Sequence, residues 1–162
     1  MWSSRPLYDG RYVAATPPLA RSFRWDDVAL LVARLTLAAL FLPSGVHKLL
    51  HMDQFVALVA QYDFFGYALP RPKFFAGLAV VVELGGGIML LLGLFTRWAA
   101  LALIAFVIVA TAASHRYWEY RAPERQAQQI EFQSNLAIAA GLLALSVAGG
   151  GMMGLDRRRR HL

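Results

Sequence analysis

From Phe74 to Leu94 the chain runs through apolar residues broken by a single carboxylate, Glu83. The run is long enough to cross a bilayer core, which takes about 20 residues of helix. A carboxylate at that depth is costly and requires a partner, a proton or a chemical task. Gly85, Gly86 and Gly87 follow it directly, and small residues let a second helix approach and cover the acid. At about 100° per residue, Ala76, Ala79, Gly86 and Gly87 fall on the same side of the helix as Glu83.

Three further apolar blocks have a similar length. Spans are predicted at residues 27–50, 74–94, 98–114 and 134–153. Charged residues make up 16% of the chain, against about 25% in ordinary soluble domains. These features predict an all-α membrane protein: an up-down bundle of four transmembrane helices forming one domain over residues 27–156. Basic tails, 1–26 and 157–162, flank it. No apolar run precedes Val28, so a cleaved secretory signal is not expected.

The net charge of +6 does not indicate nucleic acid, because the arginines lie in tails and loops beside apolar spans and form no basic-aromatic module. The chain has no cysteine, which excludes disulfide relay chemistry, thiolate metal sites and c-type haem attachment within it. Nucleotide loops, Ser/His/Asp sets and metallohydrolase motifs are absent as well.

An even number of spans puts both termini on one side. That side carries Arg5, Arg11, Arg21, Arg24, Arg97 and Arg157 to Arg160, and the other side carries Lys48, Arg71, Lys73, Arg116, Arg121 and Arg125. The positive-inside rule then predicts cytoplasmic termini, with anionic lipid as a partner for the basic tails. After the first span, Asp53 is placed to cap a short interfacial helix whose Phe55, Leu58, Val59 and Tyr62 share one face. Tyr117, Trp118 and Tyr120 supply aromatic anchors between the third and fourth spans.

Arg34, in the first span, is the obvious partner for Glu83, since an Arg–carboxylate pair offsets much of the cost of burying either charge. Glu83 then acts either in a structural ion pair or as a proton acceptor and ligand contact. Pro43 removes one backbone hydrogen bond within the first span. A kink there would widen the bundle toward the outer leaflet. Near that end lie His47, Lys48, His51, His115 and Asn135. His47 and His51 have the i,i+4 spacing of a helical metal pair, but histidines are commonplace at such interfaces. A haem between His47 and His115 is disfavoured by their position at helix ends.

Taken in order, ARLTLAALFLPSGVHKL, VVVELGGGIMLLLGLFTR, SHRYW, FQSNLAIAAGLL and GGGMMGLD resemble the DoxX family over about residues 30–156. The resemblance implies a bacterial inner-membrane protein linked to redox metabolism. Members of that family include a subunit of a thiosulfate:quinone oxidoreductase and membrane partners that gather soluble oxidative-stress enzymes. The family pattern falls on Arg34, Gly45, Lys48, Glu83, Leu84, Gly85, His115 and Asn135. The usual Ser-Leu-Asp near the end is here Gly154-Leu155-Asp156, which puts in doubt any cap or contact the serine makes.

The leading expectation is a membrane subunit of a quinone-linked respiratory complex, with electrons supplied by protein partners. Arg34, Lys48, Glu83, His115 and Asn135 are its ligand-site candidates, and Glu83 and His115 could donate protons. A non-catalytic scaffold for partner oxidoreductases is the alternative. A small proton or solute carrier is the third reading.

Overall fold

The computed structural model describes residues 25–64 and 67–156. The tails, 1–24 and 157–162, and their expected binding of anionic lipid lie outside the described residues. Among the described residues, four helices are long and apolar enough to span a membrane: α1 (Trp25–Leu50), α3 (Pro72–Leu92), α4 (Thr96–Ser114) and α5 (Glu124–Ala148). A short helix, α2 (Met52–Val59), follows the first as expected. Between α2 and α3, Asp63–Phe64 and Tyr67–Ala68 pair as a two-residue antiparallel ladder. A 3-10 turn, Tyr117–Glu119, precedes α5.

Helix α1 packs on α3, α3 on α4, and α4 on α5. Leu37, Phe41, Leu90, Leu103, Leu142 and Leu145 meet between them with Ala38, Ala99 and Ala100. Around the outside, Val32, Leu40, Val81, Ile108, Leu136 and Val147 are exposed. An apolar outer surface is what hydrocarbon requires, since each helix satisfies its own backbone.

Close contacts at glycine set the antiparallel register of α1 against α3. A Cβ on Gly45 would lie 2.8 Å from the Leu84 side chain, and one on Gly87 would lie 2.9 Å from Leu42. One on Gly93 would overlap the Arg34 guanidinium. Levels 45/84, 42/87 and 34/93 therefore coincide. Because α3 ends at Leu92, the first nine residues of α1, Trp25 to Ala33, project beyond it.

Several boundaries differ from expectation. Helix α5 begins ten residues before the predicted span, because the polar stretch from Glu124 to Gln133 extends the helix beyond its apolar part. It ends at Ala148 instead of 153, where Gly149 and Gly151 adopt φ of +81° and +67°, the left-handed region that favours glycine. Residues 149–156 turn back as a hook instead of completing the helix. Asp53 is not the cap of α2. His51 holds the N-cap position, makes no side-chain cap bond, and passes helical bonding from α1 directly into α2. Helix α1 continues through Pro43 as one helix.

Candidate functional site

Glu83 is 3% exposed as a side chain, and it pairs with Lys48, not with Arg34. Lys48 Nζ lies 2.6 Å from Glu83 Oε2 and also donates to Ser44 Oγ at 3.1 Å. The expected Arg34–Glu83 pair is ruled out by register. Arg34 is level with Gly93, ten residues from Glu83 along α3, or about 15 Å at 1.5 Å per residue. Lys48 is about half a turn from the level of Glu83, within reach of its flexible stem.

The pair borders a partly open cavity of about 1070 Å3 lined by α1, α2, α3, α4 and α5. Its walls are largely apolar, with Phe41, Phe55, Leu58, Phe75, Val82 and Phe106 among them. Lys48, Glu83, His47, His51, His115 and Asn135 all reach it, so every predicted ligand-site residue except Arg34 lines one space. Phe55, Leu58 and Val59 of α2, predicted to lie along the interface, form part of the wall with Tyr62, which lies beyond the end of the helix instead of on its face.

Hydrogen bonds hold several of these groups in place. His115 Nδ1 donates to the side-chain oxygen of Gln128 at 2.8 Å, which in the neutral ring leaves Nε2 as an acceptor. His51 Nδ1 donates to the His47 carbonyl at 2.9 Å, and the two rings stand 4.4 Å apart. Among the described residues, no group of three or more His, Cys, Asp or Glu side chains forms a metal cluster. Ser114 Oγ and Tyr62 OH bond at 2.8 Å, joining the segment after α2 to the end of α4. Beyond the end of α4, Tyr117, Trp118 and Phe132 of α5 pack edge to face. Ser44, Tyr62 and Ser114 were not predicted as site residues, because an isolated hydroxyl in a helix end carries no spacing signal.

Arg34 belongs to a second polar cluster at the opposite end of the bundle. It is 1% exposed, donates from Nη2 to the Met153 carbonyl at 3.3 Å, and its charge interacts with that of Asp156. Among the described residues its Nε and Nη1 have no hydrogen-bond partner. The hook closes the α3–α4 turn from both sides. Leu155 and Asp156 donate backbone N–H to the carbonyls of Leu92 and Gly93 at 3.3 and 3.0 Å. Asp156 in turn accepts from Phe95 N at 2.7 Å and Thr96 N at 3.0 Å. A cation thus lies by the C-terminus of α3 and an anion by the N-terminus of α4, both complementary to the helix dipoles. Asp27, on the projecting turn of α1, accepts from Met152 N at 2.8 Å and ties the hook down. The missing serine at Gly154 therefore does not remove the cap, which Asp156 makes.

These features define an integral membrane protein with a four-helix bundle, a cavity at one end and a polar lock at the other. The chain belongs to the DoxX family, whose model matches residues 29–116. It is 32% identical to the inner membrane protein YphA of Escherichia coli (strain K12) over 131 residues, 81% of this chain and 90% of the relative. It is 30% identical to the inner membrane protein YqjF of the same organism over 132 residues, 82% of this chain and 92% of the relative. A membrane protein of Mycobacterium tuberculosis, Rv3486, is 29% identical over 138 residues, 77% of each chain. No solved structure matches significantly.

Proposed function

We propose that this chain is a membrane subunit of a quinone-linked redox complex and that its cavity receives the head of a quinone-type amphiphile. The observation that carries the reading is the convergence of Lys48, Glu83, His115 and Asn135 on one largely apolar space. Its volume, about 1070 Å3, lies just above the ~300–1,000 Å3 common for small-molecule sites. A quinone carbonyl needs hydrogen-bond donors, which Lys48 and Asn135 supply, and its reduction needs protons, which Glu83 and the histidines can carry. The chain has no cysteine, so thiol–disulfide electron transfer is closed to it and a partner protein supplies the electrons. Both termini are assigned to the cytoplasm of a bacterial inner membrane, with the cavity toward the outer leaflet.

Purification in mild detergent, followed by extraction and chromatography of bound quinone, tests the assignment. Wild-type protein retains quinone, a folded Lys48→Met/Glu83→Gln variant loses most of it, and a folded Glu83→Gln variant loses part of it. Quinone-free wild-type protein that still brings down partner oxidoreductases would establish the scaffold reading instead. The Lys48–Glu83 bridge favours that second reading to the extent that it only fastens α1 to α3. Quinone-free protein recovered without a partner would favour a carrier, to be tested by flux in liposomes.

A further inference from the structure

We infer that Lys48 selects the head of the bound amphiphile by donating an N–H to an oxygen acceptor, and that Glu83 is a positioning residue behind it. The inference rests on the cavity being an amphiphile site, and it narrows what that site accepts.

An ammonium carries three N–H donors. Two of those on Lys48 are engaged, by Glu83 Oε2 at 2.6 Å and Ser44 Oγ at 3.1 Å. Nζ also stands 5.6 Å from the ring centroid of Phe55 on α2 and 5.4 Å from that of Phe106 on α4. Both rings are cavity wall. The ammonium is therefore gripped from α1 and α3 and flanked by aromatic faces from α2 and α4, a setting that orients it without using its third donor. Within the pair, the Lys48 side chain is 25% exposed and Glu83 only 3%. A ligand in the cavity thus meets the cation before the carboxylate.

The chemistry follows from this arrangement. A head with a carbonyl, carboxylate or phosphate oxygen takes the third N–H and keeps it satisfied. A hydrocarbon head displaces water from that N–H and gives nothing back. A hydrogen bond to a charged group then separates the two classes by about 10- to 100-fold in affinity. Glu83 contributes by fixing where the ammonium points. Its replacement loosens the donor without abolishing it.

The test compares three probes with similar apolar tails: decyl-ubiquinone, dodecanoate and dodecylbenzene, bound to the full chain in detergent and measured by calorimetry. Wild-type protein binds at least one oxygen-headed probe 10-fold or more tightly than dodecylbenzene. Lys48→Arg keeps the preference. Removing Lys48 alone would strand a buried carboxylate, so the decisive variant is Lys48→Met/Glu83→Gln, which leaves no unpaired charge. There the preference falls to near unity while dodecylbenzene affinity stays within about twofold, a pattern that general loss of structure does not give. Glu83→Gln alone weakens the oxygen-headed probe severalfold and retains part of the preference. An unchanged preference in the double variant overturns the role of Lys48. Complete loss of preference in Glu83→Gln, with Lys48 in place, overturns the positioning role of Glu83. If dodecanoate binds in a Lys48-dependent way and decyl-ubiquinone does not, the quinone assignment fails while Lys48 selection stands. If no oxygen-headed probe outbinds dodecylbenzene in the wild type, the inference about Lys48 fails, and if decyl-ubiquinone does not bind at all, the quinone assignment fails with it.

Discussion

Replacing Asp156 by alanine isolates the lock at the α3–α4 turn. The carboxylate accepts two backbone bonds, from Phe95 at 2.7 Å and Thr96 at 3.0 Å. Hydrogen bonds to a charged group contribute about 1.5–3 kcal/mol each, and loss of an N-cap alone costs about 0.5–2 kcal/mol. Asp156 is only half-buried, so water recovers part of the loss, and the net cost is set near the low end, about 3 kcal/mol. Two further effects act in the same direction. Phe95 sits at φ +48°, an uncommon conformation for a residue with a side chain, and loses a bond that helps hold it there. Arg34 loses the acid whose charge it feels. At roughly 2–4 °C per kcal/mol for a chain of this size, the midpoint should drop by about 6–12 °C. Thermal unfolding in detergent, followed by tryptophan fluorescence, reads it directly. Asp156→Asn retains one acceptor oxygen and should lose about half as much. Asp53→Ala, at an exposed acid in the first turn of α2, is the control and should lower the midpoint by no more than about 4 °C. A midpoint for Asp156→Ala as high as that control would refute the lock.

Other substitutions test the packing and the site. Gly86→Ala places a Cβ 2.7 Å from buried Leu103, whereas Gly85→Ala meets nothing within 4 Å. The first should cost about 1–3 kcal/mol by overpacking and the second should be neutral in the same melting assay. Tyr62→Phe removes the bond to Ser114, which should cost about 1 kcal/mol and raise amide hydrogen exchange in residues 52–62 above that of α4. Lys48→Met should cost about 3–5 kcal/mol by leaving Glu83 buried and unpaired, and adding Glu83→Gln should recover most of it. Equal stability of the single and double variants would remove the ion pair from the account.

Much of the fold was legible because lipid imposes simple rules. Long apolar runs had to be helices, and the small face around Glu83 had to be covered. Ala76, Gly86 and Gly87 are buried with it. The partner of Glu83 was misread because Arg34 was chosen by charge, whereas register between the helices decides the pairing. Arg34 lies nine residues into α1 and Glu83 nine before the end of α3, which suggests equal depth only if those ends are level. They are not, since α1 overshoots α3 and carries Arg34 down to Gly93. Register between helices resides in side-chain fit, such as Gly45 against Leu84, and apolar patterning does not encode it. Lys48, His115 and Asn135 come to one cavity because helix ends on one side of a bundle must converge. The hook was missed because Gly149 to Met153 reads as apolar sequence, and only the positive φ angles at Gly149 and Gly151 turn it away from the span.

The lock also has a consequence for biogenesis. Helix α4 depends for its cap on a residue 60 to 61 positions later in the chain. While the α3–α4 hairpin enters the membrane, Asp156 has not been synthesised, and the exposed N–H groups of Phe95 and Thr96 must be met by water or headgroups. Arg34, made earlier still, waits for the same segment to cover it. The bundle therefore closes only after α5 has crossed, so that the order of synthesis makes the final loop a check on the insertion of every span before it.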